Sequence, residues 1–170
     1  MPFVFSIKYE KRRNYGMRGK KIIRRLLILL CILFVLIILY YINNRTIYRI
    51  ESKIKEKFNA VESIEVSDTG PHCTLYVYLD SGNYEFEDIE PIFISLMLEL
   101  DEEDNFNYFN ERHIRNATGE MAFLHIRFYI EKGTAENFLF KFNSYKYKDF
   151  QIWELDGDSS VTYTVSDYTK

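Results

Sequence analysis

Three histidines, two cysteines and two acidic clusters are the side chains of this chain whose types could do chemistry. His72 directly precedes Cys73, which places an imidazole beside a thiol, the pairing a cysteine nucleophile and its base would need. No third group that would orient the base accompanies them. His113 lies in an Asn-rich stretch, and His125 falls on the polar side of an alternating segment. A metal site needs three or four ligands at recognisable spacing, and the chain has no CxxC, HxH or HExxH. The sequence therefore assigns no catalytic, cofactor-binding or metal-ligating residue, and each histidine reads first as an ordinary structural side chain.

The run Asp101, Glu102, Glu103 and Asp104, and the loop Asp156-Gly157-Asp158, offer oxygen donors that a hard cation such as calcium would accept. Neither follows the spaced ligand pattern of a twelve-residue calcium loop, so a solvated helix end and a hairpin turn are the simpler readings. Asn116-Ala117-Thr118 matches a glycosylation sequon, which has meaning only in a eukaryotic host. Cys31 falls inside a long apolar run and Cys73 outside it, so the two cannot form a disulfide, and Cys73 reads as a small buried hydrophobe. Tyr76, Tyr78, Tyr129, Tyr145, Tyr147 and Tyr163 fall on outward or ambiguous positions. Their amphipathic rings suit protein or glycan contact, or else packing beneath a second layer.

The elements that position these residues begin with a membrane anchor. Seventeen residues, opened by Leu26 and closed by Ile42, contain no charge, amide or glycine, and 14 of them are Leu, Ile, Val or Phe. On the insertion scale such a composition gains about 4–8 kcal/mol. With Ile22 and Ile23 included and Arg24 and Arg25 snorkelling, the helix is ~31 Å long, close to the thickness of the hydrocarbon layer. Tyr40 and Tyr41 sit at the far interface, and the residues after them offer no small-x-small cleavage site, so the anchor is expected to be retained. Nine of the 22 basic residues fall in the first 25 positions, which the positive-inside rule places in the cytoplasm. Met17 opens the charged stretch that resembles the usual start of a signal anchor, and the sequence points to it as the initiator.

Residues 43–170 carry 13 basic and 24 acidic side chains, a formal charge of −11. Such a domain repels nucleic-acid backbones and anionic headgroups. The expected organisation is a basic cytoplasmic tail at 1–21, a transmembrane helix at 22–42, a juxtamembrane amphipathic helix at 43–61 and an acidic extracytoplasmic domain at 62–170. Ile47, Ile50, Ile54, Phe58 and Val61 repeat at helical spacing, which suits packing on the domain better than a free-standing stalk.

Residues 62–67 and 73–80 then alternate as strands around the turn Asp68-Thr69-Gly70-Pro71, with Cys73, Leu75, Val77 and Leu79 facing inward. Asp88 is the expected cap of a second helix, with Pro91 in its first turn and an acidic C-terminus that frays. Residues 105–119 read as a loop, and residues 120–131 as a strand. Residues 134–143 read as a helix capped by Thr134, with strand the alternative because Phe138, Phe140 and Phe142 alternate. A C-terminal hairpin joins 150–155 to 161–165.

The fold class expected is α+β: a single N-terminal transmembrane helix, then a mainly antiparallel sheet with helices on one face, in the order α-ββ-α-β-(α)-ββ. The function expected is that of a non-catalytic interaction or assembly domain of a bacterial cell envelope. It would meet the bilayer through Leu26 to Ile42 and an envelope protein through its outer domain, with no nucleic acid and no cofactor, and it is compatible with homo-oligomers. The alternatives are a thiol- or metal-dependent hydrolase built around His72 and Cys73, and a cation sensor at the acidic loops.

Overall fold

The computed structural model describes residues 4–117, 119–132 and 137–169, with side chains from residue 22 onward except that of Tyr147. Contacts divide the chain into two units, Met1–Asn44 and Arg45–Lys170. Helix α1 (Val4–Lys57) supplies nearly all of the first unit. Its most apolar window has a mean hydropathy of 3.0 and none of it is buried, so it is a helix long and apolar enough to cross a membrane. In water such a row of exposed Leu, Ile, Val and Phe would be a large unfavourable apolar surface; in lipid it is the ordinary state.

In the second unit the last turns of α1 bury Ile47, Ile50 and Ile54 in the core. The helix stops at Lys57, and Val61 opens the next element instead of continuing the helical face. Strands β1 (Val61–Thr69) and β2 (His72–Leu79) form a hairpin whose turn uses Gly70 at φ +56°, a left-handed conformation that glycine adopts without strain. Helices α2 (Phe86–Asp101) and α3 (Glu103–Asn116) follow, then β3 (Phe123–Ile130), β4 (Phe138–Tyr145), β5 (Ile152–Leu155) and β6 (Asp158–Thr164). The six strands lie in chain order in one sheet. Four pairings are antiparallel, while β2 and β3 run parallel because α2 and α3 carry the chain back across the sheet between them. The sheet is therefore mixed but mainly antiparallel, as the sequence suggested, and the parallel β2–β3 pair is the part it did not indicate.

One face of the sheet is covered. Cys73, Leu75 and Val77 of β2, Leu124, Ile126 and Phe128 of β3, Phe142 of β4 and Trp153 of β5 meet Ile89, Phe93, Leu96 and Met97 of α2. Phe93 is the centre of this layer, stacked on Phe142 at 3.7 Å between ring centroids and edge-on to Trp153 and Tyr163. Each such ring contributes about 1.5–3 kcal/mol by leaving water, with a smaller gain from ring geometry.

Four local expectations change. Residues 105–119 do not form a loop: α3 covers Glu103–Asn116, with Asn105, Phe109 and His113 buried at every fourth position. The run Asp101 to Asp104 does not fray. Glu102 links α2 to α3, Lys53 holds Glu99 at 2.7 Å and Glu102 at 3.5 Å, and Glu103 and Asp104 fall in the first turn of α3, where the helix dipole favours carboxylates. The cap of α2 is Glu85, whose backbone N–H donates to the Asp88 carboxylate at 3.0 Å, and Pro91 lies past the first turn. Finally, Phe138 to Asn143 belong to β4 and not to a helix, because Phe142 and Phe140 pack inward while the backbone pairs with β3; Thr134 lies outside the described residues.

Candidate functional site

Alternation along β2 sends neighbouring side chains to opposite faces, so the sheet separates His72 from Cys73. Cys73 faces the helices, fully buried, and burial with the nearby Asp68 carboxylate pushes its thiol pKa up. A thiol held protonated in this way is a poor nucleophile. His72 faces the open side. The imidazole and thiol that adjoin in the chain are thus not brought together.

On the open face the strand registers align four rows. The first is His72, Phe123 and Tyr145; the second is Thr74, His125 and Asn143; the third is Tyr76, Arg127 and Lys141. Tyr78, Tyr129 and Phe138 form the fourth, with Phe138 brought opposite Tyr129 by a bulge in β4. The first three rows line a groove of about 400 Å³, bounded by Ser67 and Asp156.

A hydrogen-bond chain forms the floor of this groove. Asn143 donates through Nδ2 to Asp156 at 2.8 Å, which directs its Oδ1 at His125 Nδ1, 2.7 Å away. His125 must then donate from Nδ1 and accept at Nε2, where His72 Nδ1 lies at 2.8 Å. The direction of every bond follows from the Asp156 carboxylate, and His72 is left presenting Nε2 to the groove. Burial first, then the Lys141 and Arg127 charges, hold His125 neutral, with its pKa lowered to about 4 despite the Asn143 bond. His72 is lowered for the same main reasons. The Asn143 bond and Lys141 hold the Asp156 carboxyl below its usual range. Phe123 stacks on His72 at 4.5 Å.

Arg127 differs from its neighbours in having no partner. Lys141 lies 3.3 Å from Asp156, whereas the Arg127 guanidinium makes no hydrogen bond or ion pair with any described side chain, and its Nε is shut away from solvent. Beside it Tyr129 is the hub of an aromatic cluster, its ring centroid 5.5–6.0 Å from those of Tyr76, Tyr78 and Phe138, and Lys132 lies over the Tyr78 ring. No described helix covers this face, because the segment expected to form one is β4. Tyr163 is buried in the core and donates to Glu90 at 2.7 Å.

A second polar cluster lies under α3. Asp68 Oδ2 accepts from Arg112 Nε at 3.2 Å and from Asn116 at 3.2 Å, and its Oδ1 lies 3.5 Å from His113 Nδ1. Asp68 and His113 are almost completely buried, and no described residue hydrogen-bonds either His113 nitrogen. The acidic loops are likewise occupied within the fold: Asp101 accepts from Gln151, Asp156 from Asn143, and Asp158 from Ser160.

The sequence puts His125 on the polar side of one strand but conceals the groove, since the other wall, Lys141 and Asn143, falls in a segment that reads as a helix. Asp68 was read as a turn residue and Arg112 as part of a loop, which concealed the inner cluster. Searches against protein-family models, curated proteins and solved structures find no match to the chain.

Proposed function

We propose that the protein is a single-pass membrane protein of a bacterial cell envelope, its N-terminus cytoplasmic and its domain from residue 45 onward a non-catalytic interaction module outside. The observation that carries this reading is the asymmetry of the sheet: helices cover one face, while the other presents four tyrosines, an unpartnered arginine and a groove. Tyrosine and arginine are the residues that concentrate binding energy at protein contacts. The exposed apolar helix with nine flanking cations supports anchoring and orientation.

The test is crosslinking in native membranes, comparing the parent with Tyr76→Ala and Tyr129→Ala. A defined assembly that is lost in both variants, with their melting temperatures within a few degrees of the parent's, is the expected result. An assembly unchanged by either substitution, or a protein recovered only by itself, contradicts the reading.

A further inference from the structure

The groove is a positive island on a negative domain. Within it Arg127 and Lys141 oppose one carboxylate, Asp156, and both imidazoles are neutral at pH 7, so one positive charge remains uncompensated; residues 43–170 as a whole carry −11. The uncompensated charge belongs to Arg127. Its Nε is shielded, but its two terminal Nη groups line the groove with no described hydrogen-bond partner, so the fold leaves that edge of the guanidinium open to an acceptor from outside. Lys141, Asn143 and His125 are each already engaged by a neighbour.

We propose that this groove seats one carboxylate of a polypeptide partner, an Asp or Glu side chain, on the Arg127 guanidinium, with the residues flanking it lying over the aromatic rows on either side. The inference rests on the reading of the open face as a contact surface and names its chemistry. A planar guanidinium takes a carboxylate through two parallel N–H···O bonds. A monoanion cancels the single spare charge, whereas a doubly charged phosphate would leave a negative charge beside Asp156. Successive rows on one face are ~7 Å apart, the spacing of alternate residues in an extended chain. An extended segment of the type apolar-x-acidic-x-x-x-apolar would therefore place its carboxylate at Arg127, one apolar side chain toward the adjoining Tyr78–Tyr129 row and the other toward the His72–Phe123 row, two rows away on the other side. The surrounding tyrosines are those of a protein contact, which favours a polypeptide over a sugar acid.

The experiment uses the full chain in detergent micelles and two capped heptapeptides, acetyl-Leu-Ser-Glu-Ser-Ser-Ser-Leu-amide and the same peptide with Gln in place of Glu. Binding is followed by the Arg Nε–H resonances and by titration. The Glu peptide is expected to bind at least tenfold tighter than the Gln peptide and to shift the Arg127 resonance. Arg127→Gln should abolish that preference, and Arg127→Lys should restore only part of it. Equal binding of the two peptides, or no binding of either, overturns the inference without recourse to any variant. Galacturonate or inorganic phosphate binding as tightly as the Glu peptide also overturns it, in favour of a polymer or free-anion ligand. If the crosslinked assembly depends on Tyr76 and Tyr129 but the peptides show no preference for Glu, the contact surface stands and the carboxylate falls.

Discussion

His125 shows how a residue on the polar side of a strand becomes almost completely buried. Its side chain closes the hydrogen-bond chain between His72 and Asn143, and with a folded pKa of about 4 against ~6.5 when unfolded, it is a base that folding keeps neutral. Between those values the unfolded chain holds the extra proton. Stability from this group is therefore complete above pH 6.5 and is lost as pH falls toward 4, by about 1.4 kcal/mol per pH unit and at most about 3 kcal/mol. His72 is also lowered, by burial first, and adds to the loss in the same direction as pH falls below its ordinary value. Melting temperature of the full chain in detergent should fall across pH 6.5 to 4, and His125→Gln should flatten that slope; an identical slope in the variant would contradict the assignment. Ion pairs separate by burial in the same manner. Asp68→Ala removes the buried carboxylate that accepts from Arg112 and Asn116 beneath α3 and should cost about 3 kcal/mol, whereas Glu65→Ala, which removes an exposed pair with Lys132, should cost less than about 0.5 kcal/mol. Urea unfolding of both variants measures the contrast.

At the scale of elements, α3 and β4 mark what a pattern of apolar residues can and cannot reveal. The hairpin of β1 and β2, helix α2, strand β3 and the C-terminal hairpin were all legible, because a turn residue or a strict alternation bounded each one. Helix α3 was hidden, since its buried stripe is Asn105, Phe109 and His113, two of the three polar, and the partners of Asn105, Arg49 and the Glu99 carbonyl, lie elsewhere in the chain. In β4 the phenylalanines fit a helical face and a strand face alike, and pairing with β3 decides in favour of the strand. The groove was lost with it. The parallel pairing of β2 and β3 follows from α3 as well, because two helices between strands supply the crossover that one helix and a loop did not suggest. Strand geometry makes a discriminating prediction: Phe142→Ala opens a cavity against Phe93 and should cost about 3–5 kcal/mol, while Phe138→Ala, on the open face, should cost about 1 kcal/mol. A helix with Phe138 and Phe142 on one buried side would make the two costs comparable.

Across the whole chain the sequence divides by charge and by solvent. Nine cations precede the apolar helix, and a domain of formal charge −11 follows it. From Ile22 to Ile42 the Leu, Ile, Val and Phe side chains of that helix lie exposed, so it is long and apolar enough to cross a membrane, and in the proposed reading the cations at its start would set which side each end occupies. Every partner considered for the open face depends on that orientation. Protease added to right-side-out spheroplasts tests it directly, with a tag at the C-terminus read by immunoblot. The account predicts that the tagged domain is digested while the spheroplasts are intact and that a short N-terminal fragment stays with the membrane. A C-terminal tag that survives until the membrane is lysed, or a soluble protein lacking its apolar helix, would contradict it.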